Sequence, residues 1–250
     1  MKNKLRFKST LLVLAFVGIL SSCSTNDDTY EVDPEQIAGF MAINTVTDQQ
    51  QIGVSLSGIY VGQPLPYRAY TGGYVNIFPG ERSTDAFSPY SGNTLSSTSF
   101  TYEKGKYYSL FITGRKDDYQ NIIVEDNLDD LAVEDSISYV RYINAIPTRE
   151  APELTLANDT DTLIKEKAAY QEVSAFLKVK AKELTVHVKG DSIATERTIE
   201  LENRKIYTLL IVGNPESTDD LKKVQIRYIE NGRLIEDRDE DQQQQSINLN

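Results

Sequence analysis

Hydrophobic and polar residues alternate along this chain in short runs. Leu184, Val186 and Val188 occupy every second position, with Thr185 and His187 between them. Successive side chains of a β-strand point to opposite faces, so this period of two predicts a strand with one buried face and places His187 on the solvent side. Turn-forming pairs separate such runs, as at Gly72-Gly73, Pro79-Gly80, Gly190-Asp191 and Asn231-Gly232. About seven short strands in each ~90 residues predict an all-β sandwich.

One run lacks this alternation. Residues 206–212 read Ile-Tyr-Thr-Leu-Leu-Ile-Val and are almost continuously apolar. A short run of this kind is typical of a strand that is covered on both faces. We therefore predict that residues 206–212 form a central strand of a sheet.

The pattern occurs twice, at an offset of about 100 residues, which is too long for a solenoid unit and indicates a duplicated domain. The aligned segments keep their order along the chain: Phe40–Thr45 with Val140–Ala145, Val54–Leu56 with Leu154–Leu156, Ala69-Tyr70 with Ala169-Tyr170, and Glu103–Gly114 with Glu202–Gly213. Because Ala169-Tyr170 aligns with Ala69-Tyr70, we interpret residues 163–173 as a loop, although Lys165–Ala169 contains helix-forming residues.

The repeat and the composition of the connecting segments divide the chain into five parts. Acidic, Gln-rich and aperiodic segments do not bury enough apolar surface to fold, so they are predicted to be disordered. The predicted parts are a signal peptide at 1–22, a flexible tether at 23–36, two tandem immunoglobulin-like β-sandwich repeats at 37–127 and 137–235, and a disordered tail at 236–250.

The N-terminus carries an export signal. Four basic residues among the first eight precede the apolar run Leu11–Leu20, which is too short to span a bilayer. The following Leu20-Ser21-Ser22-Cys23 resembles the bacterial lipobox. That resemblance implies acyl chains on Cys23 and cleavage before it, with the membrane as a partner. A secretory signal with an incidental cysteine is the alternative.

The residues after Cys23 bear on localisation. Ser24, rather than aspartate, resembles the sorting pattern of outer-membrane lipoproteins. Asp27 and Asp28 loosely resemble a surface-export signal of Bacteroidota lipoproteins. We predict a lipid-anchored protein of the outer membrane, and both a periplasm-facing and a cell-surface position remain open.

Charge and cysteine content exclude several classes of partner and bond. The 250 residues carry a formal net charge of -11, which disfavours binding to nucleic acid and to anionic lipid headgroups. Cys23 is the only cysteine, so no intrachain disulfide can form.

Candidate catalytic groups are few. His187 is the only histidine and Cys23 is assigned to lipid, so neither a nucleophilic triad nor a typical zinc site can be assembled. The acids at 129, 130, 134 and 135 read as a solvated linker rather than a glycosidase pair. Asp159 and Asp161 alternate as in calcium loops, but Asn/Asp/Thr turns are common for their own backbone bonding, so the turn is favoured over calcium. We expect no enzyme activity and no cofactor.

Five tyrosines in the first repeat lie among Gly and Pro residues. Tyrosine supplies rigid, amphipathic contact area on loops and can stack on sugars. The alternative is that these side chains pack the sandwich. The candidate ligand-binding residues are Tyr60, Tyr67, Tyr70, Tyr74 and Tyr90.

Two motifs resemble a known bacterial family. Val140–Pro147 is similar to the opening strand of domain of unknown function 4397, and so are the Tyr-(Ser/Thr)-Leu-x-Ile-x-Gly strands that begin at Tyr108 and Tyr207. The resemblance covers about residues 38–230, although Thr47 replaces the proline of Pro147. It implies exported, often lipid-anchored proteins with tandem immunoglobulin-like sandwiches, and it implies no reaction and no ligand. The expected function is binding, adhesion or envelope assembly, with glycan binding in a polysaccharide-uptake system as the alternative.

Overall fold

A computed structural model describes residues 36–235, which are mostly β-strand. The first half contains β1 (Ala38–Asn44), β2 (Gln51–Leu56), β3 (Ile59–Tyr60), β4 (Leu65–Pro66), β5 (Val75–Ile77), β6 (Gly80–Phe87), β7 (Thr94–Tyr102), β8 (Tyr107–Arg115) and β9 (Asp118–Glu125). The second half contains β10 (Ile137–Asn144), β11 (Glu153–Ala157), β12 (Thr162–Lys167), β13 (Leu177–Lys180), β14 (Glu183–Gly190), β15 (Ile193–Glu200), β16 (Lys205–Val212) and β17 (Gln225–Arg233). A short 3-10 helix, Leu128–Asp130, lies between the halves.

Each half forms a sandwich of two sheets. The sheets of the first sandwich have the strand orders β5-β1-β8-β9 and β3-β2-β6-β7, with β4 paired to β2. Those of the second are β13-β10-β16-β17 and β12-β11-β14-β15. Parallel pairing occurs at β1 with β8 and at β10 with β16, and the other pairs are antiparallel. The prediction of an all-β sandwich fold is confirmed.

Strand pairing follows the same register in the two sandwiches, which shows the duplication, and it corrects one part of the predicted sequence alignment. Phe40 pairs with Tyr108 as Val140 pairs with Tyr207, in agreement with the predicted alignment. The backbone N–H of Arg68 donates to the carbonyl of Asn44, whereas Gln171 makes the equivalent bond to Asn144.

The predicted match of Ala69-Tyr70 with Ala169-Tyr170 is therefore wrong, because Tyr170 corresponds to Tyr67. The β11–β12 hairpin is longer than its counterpart and shifts the alignment. Residues 163–167 were predicted to be in a loop, and they belong to strand β12.

Alternating strands bury one face inside each sandwich. Leu184, Val186 and Val188 are buried in the core of the second sandwich, and His187 is exposed with Nδ1 3.1 Å from a Glu196 carboxylate oxygen. The first sandwich has an equivalent core that includes Phe40. The predicted orientation of this strand is confirmed.

The two sandwiches pack together through their outer faces. A third apolar cluster joins Met41 and Phe111 of the first sandwich to Ile143, Leu210 and Val212 of the second. Residues 206–212 are covered on both faces for this reason. Leu209 and Ile211 point into the core of the second sandwich, whereas Leu210 and Val212 face the first sandwich. Both sandwiches belong to one compact unit.

The remaining predictions concern the chain ends. The signal peptide, the tether up to residue 35, the lipid anchor at Cys23 and the tail at 236–250 lie outside the described residues. Within residues 36–235, no helix has the length and apolar character needed to cross a membrane.

Candidate binding site on the first sandwich

An open apolar groove lies at one edge of the first sandwich, where β3 ends one sheet and β5 ends the other. Its volume is about 270 Å³, and it is lined by Leu56, Ile59, Tyr60, Val61, Gly62, Val75, Asn76, Ile77, Phe78 and Arg82. The exposed fractions of Ile59, Tyr60 and Phe78 are 67%, 72% and 70%. Three large apolar side chains thus share one groove and face solvent.

Local turn chemistry presents these side chains. Ser57 and Gly58 both have positive φ, 48° and 81°, which is the geometry of a tight hairpin between strands of matching twist. This hairpin places Ile59 and Tyr60 on a two-residue edge strand. Phe78 directly follows β5 and precedes the turn at Gly80, whose φ is 110°. The groove therefore lies between two turns.

The Tyr60 ring packs against a second aromatic side chain, Phe87. It stacks on Phe87, with ring centroids 5.1 Å apart and an angle of 28° between the planes. Phe87 in turn lies across Gly53, its partner in the β2–β6 ladder. A Cβ atom at Gly53 would come within 2.3 Å of the Phe87 ring, so this arrangement requires glycine. The aromatic pair fixes Tyr60 while leaving it exposed.

Polar groups at the groove are few. Its polar side-chain groups are the Asn76 amide, the Arg82 guanidinium and the Tyr60 hydroxyl. Arg82 Nε donates to the carbonyl oxygen of Phe78 at 2.7 Å, and Nη2 donates to that of Pro79 at 3.4 Å. The guanidinium thus holds the Phe78–Pro79 segment in place. The groove is built for apolar contact.

The second sandwich has a different edge at this position. There, β12 has six residues where β3 has two. The side chains of Lys165, Glu166 and Lys167 on this strand are exposed. Charged side chains on an edge strand discourage its association with other chains.

The structure places the five predicted tyrosines in three different environments. Tyr60 lines the groove, and Tyr90 is 66% exposed but is not part of the groove lining. Tyr67, Tyr70 and Tyr74 pack against the apolar cluster between the two sandwiches. The five residues therefore do not form a single site. Ligand contact by these tyrosines stays a prediction.

Sequence reasoning missed Ile59, Phe78 and Phe87. For Ile59 and Phe78 the available signal was their position, because Ile59 follows Ser57-Gly58 and Phe78 precedes Pro79-Gly80. An apolar residue at a turn has no sheet face to bury it, so such positions are candidates for exposure.

Tyr74 belongs to a buried polar network between the sandwiches. Its hydroxyl donates to Asp126, which also accepts from Ser109 Oγ at 2.6 Å and from Arg141 Nη1 at 2.6 Å. Arg141 Nε donates to Thr208 Oγ1 at 2.9 Å. Burial, followed by the negative charge of Asp126, raises the pKa of Tyr74 well above its usual value. This network connects the two sandwiches, and its tyrosine is not available to a ligand.

The acidic candidates have structural partners. Asn158 Oδ1 accepts from the N–H groups of Thr160 at 3.0 Å and Asp161 at 2.8 Å, so the segment forms an Asx turn. In the linker, Glu134 pairs with Lys178 at 2.6 Å and Asp135 pairs with Arg204 at 2.8 Å; residues Asp129 and Asp130 lie in the 3-10 helix. No group of three or more His, Cys, Asp or Glu side chains in residues 36–235 is placed to hold a metal ion.

Comparison with known families concerns the second sandwich. Residues 138–231 match the family described as Domain of unknown function (DUF4397). This match confirms the resemblance seen in the sequence for that sandwich. No curated protein matches the sequence.

Two solved structures are similar to the chain at low identity. One is a candidate cell adhesion protein from Bacteroides ovatus, with 8% identity, a TM-score of 0.25, and coverage of 82% of this chain and 100% of that one. The other is a family CBM26 module from Eubacterium rectale Amy13K in complex with maltoheptaose, with 8% identity, a TM-score of 0.24, and coverage of 80% and 98%. These TM-scores are too low to indicate a function.

Proposed function

We propose that this chain is a non-catalytic binding protein that receives an apolar surface of a protein partner in the groove at Ile59, Tyr60 and Phe78. The observation that carries the proposal is the joint exposure of these three side chains, at 67%, 72% and 70%, in one groove. Contiguous exposed apolar surface marks interaction sites in proteins. Full burial of one such side chain contributes about 1.5–3 kcal/mol, so burial of all three contributes roughly 5–9 kcal/mol before the cost of association is subtracted.

The chemistry of the groove favours a protein over a sugar. Sugar hydroxyls need hydrogen-bonding partners when they leave water, because an unpaired buried polar group is costly. The groove offers few such partners: the Arg82 guanidinium is turned towards the carbonyl oxygens of Phe78 and Pro79, which leaves the Asn76 amide, the Tyr60 hydroxyl and the remaining Arg82 N–H groups. An apolar protein side chain needs no such partners. Aromatic anchors such as Tyr60 are also typical of the residues that dominate protein–protein affinity.

Glycan binding is the second candidate, and the Tyr60 ring supports it. The ring stacks on Phe87 and remains 72% exposed, which is an arrangement on which a sugar ring can stack. A glycan array probed with the wild-type protein and with Tyr60→Ser distinguishes the candidates. Binding of a glycan that is lost in Tyr60→Ser would replace the protein partner with a glycan.

The N-terminal sequence supports localisation of this binding protein at the outer membrane. Acyl chains on Cys23 would anchor the protein to the outer membrane. The proposed tether at residues 23–36 would have a root-mean-square end-to-end distance of ~20 Å. Metabolic labelling with a palmitate analogue tests the anchor. We expect label on the wild type and none on Cys23→Ser, and Ser22→Arg should block processing. Label that persists on Cys23→Ser would contradict the anchor.

The groove is tested by affinity purification from the envelope of the source cells. The variant Tyr60→Ser/Phe78→Ser removes the groove contacts, and Tyr90→Ser/Leu221→Ser is the matched control, because Tyr90 and Leu221 are 66% and 65% exposed elsewhere. We expect one partner to bind the wild type and the control, and to bind the groove variant at least tenfold more weakly, about 1.4 kcal/mol. Equal recovery with all three proteins would refute the proposal.

A further inference from the structure

Three arginines lie together where the two sandwiches meet, away from the apolar groove. Arg68 comes from the loop after β4 of the first sandwich, whereas Arg197 on β15 and Arg227 on β17 belong to the second. No carboxylate of residues 36–235 is within ion-pair distance of any of the three. We call these residues the arginine cluster. In a chain with a net charge of -11, an unneutralised cluster of cations is unexpected.

A neutral oxygen stands at the centre of this cluster. Gln225 Oε1 accepts from Arg68 Nη1 at 2.7 Å, from Arg227 Nε at 3.1 Å and from Arg227 Nη2 at 2.8 Å. Guanidinium groups form their strongest hydrogen bonds with carboxylates and phosphates, and here two of them share one amide oxygen. Each guanidinium has five N–H donors, so most of those on Arg68 and Arg227 remain for another acceptor.

The surrounding groups also lack an acceptor. The Tyr67 hydroxyl is buried and has no hydrogen-bond partner in the described part of the chain. Burial raises the pKa of Tyr67 to about 12, and the positive charges of Arg68 and Arg227 oppose this shift. Partial burial and then repulsion from Arg68 and Arg197 lower the pKa of Arg227. The lowered pKa of Arg227 is the direction expected for a cation that is partly buried beside other cations, whereas the raised pKa of Tyr67 reflects its burial.

A concavity adjoins the cluster. It has a volume of about 340 Å³ and is lined by Tyr67, Arg68, Ala69, Leu210, Arg227 and Tyr228. Two aromatic side chains hold the cations in place, because the Arg68 guanidinium lies 5.1 Å from the centre of the Tyr67 ring and that of Arg197 lies 5.0 Å from the Tyr228 ring. A ligand group that enters this space meets the side chains of Arg68 and Arg227.

The duplicated half provides an internal comparison. Gln171 occupies the position equivalent to Arg68, and both have left-handed backbone with φ of 68°. Gln171 Nε2 donates to Thr113 Oγ1 of the other sandwich at 3.0 Å. A neutral side chain therefore suffices to connect the sandwiches at this position. The charge of Arg68 is not needed for that contact.

We propose that the arginine cluster binds a carboxylate group of a small anionic ligand, which Arg68 and Arg227 hold from the two sides of the boundary between the sandwiches. A carboxylate is the preferred group because the planar amide of Gln225 already shows that these donors fit around a flat oxygen acceptor. A bound carboxylate would accept N–H bonds from both guanidiniums. Binding would hold the two sandwiches together.

The test uses the purified full-length chain and its thermal denaturation midpoint. The probes are glucuronate, acetate, inorganic phosphate and sulfate, with chloride keeping the ionic strength constant. We expect glucuronate and acetate to raise the midpoint of the wild type in a saturable way. We also expect Arg227→Gln to weaken their binding at least tenfold, and the matched control Arg233→Gln to leave it unchanged.

A second variant separates loss of binding from loss of fold. Gln225→Glu places a carboxylate of the chain itself among the guanidiniums, so it should abolish the response to the probes while the chain still unfolds cooperatively; its midpoint without ligand also reflects the loss of the Gln225 Nε2 bonds to the carbonyls of Asp220 and Leu221. An equal response of Arg227→Gln and the wild type would overturn the proposal. A response to phosphate or sulfate without one to the carboxylates would overturn the assignment of the ligand group, and so would a full response in Gln225→Glu.

Discussion

The buried ion pair between the sandwiches offers a quantitative test of how they are joined. The side chains of Asp126 and Arg141 are 0% and 3% exposed, with 2.6 Å between Arg141 Nη1 and Asp126 Oδ1. In the duplicated fold, Met41 occupies the position on β1 that Arg141 occupies on β10, because these residues pair with Ser109 and Thr208. Asn231 likewise corresponds to Asp126, since each follows the glutamate that pairs with Tyr207 or Tyr108. The equivalent positions of the other repeat thus suggest uncharged substitutes for both members of the ion pair, methionine for Arg141 and asparagine for Asp126.

The perturbation is Arg141→Met, alone and together with Asp126→Asn. The single variant leaves Asp126 buried without its cation, with only the hydroxyls of Tyr74 and Ser109 as donors. Removing one partner of a buried pair costs about 3–5 kcal/mol, whereas replacing both with groups of similar volume is often neutral. We expect a loss of about 3–5 kcal/mol in the free energy of unfolding for Arg141→Met, and recovery of more than half of it in the double variant.

Urea unfolding followed by circular dichroism and tyrosine fluorescence measures these free energies. For a chain of this length, the single variant should also lower the melting temperature by roughly 6–20 °C. Asp126→Asn alone completes the double-mutant cycle and reports the coupling energy of the pair. A loss below about 1 kcal/mol for Arg141→Met, or a double variant no more stable than the single one, would refute the reasoning.

Two further predictions concern backbone geometry and alkaline pH. Gly213 has φ of 129°, and a Cβ there would come within 2.4 Å of the Lys223 carbonyl oxygen. Gly213→Ala should therefore lower the free energy of unfolding, measured by urea titration, by about 1–3 kcal/mol. The control Gly232→Ala, where nothing lies within 4 Å of the added Cβ, should cost less than half as much. Burial raises the pKa values of Tyr67 and Tyr102 to about 12, so the folded state retains protons that the unfolded state releases near pH 10, and stability should fall between about pH 10 and 12. A flat profile of unfolding free energy across that range would contradict the burial of these hydroxyls.

Local patterns predicted most of the strands because alternation depends on neighbours in the sequence. Leu184, Val186 and Val188 are buried as their period of two requires. The apolar run at residues 206–212 likewise indicated a strand covered on both faces. It did not identify the covering surface, which is the outer face of the first sandwich. That packing depends on residues such as Met41 and Phe111, which lie about 170 and about 100 positions away in the chain.

The candidate site was less accessible to sequence reasoning. Tyr60 and Tyr74 have similar neighbours among Gly and Pro residues, but one is 72% exposed and the other is bonded to a buried carboxylate. The difference arises from the packing between the sandwiches, which composition does not encode. The alignment error at Tyr170 arose in a similar way, because the length of a hairpin is set by pairing that the residues alone did not reveal.

The central claim, that the first sandwich binds a protein partner through its apolar groove, is tested most directly by site-specific photo-crosslinking in intact source cells. A photoreactive phenylalanine analogue would replace Tyr60 or, as the matched control, Tyr90. Both side chains are exposed, and only the first lines the groove. We predict a single discrete crosslinked protein from position 60 and none from position 90. The same products from both positions, or no product from position 60, would contradict the claim.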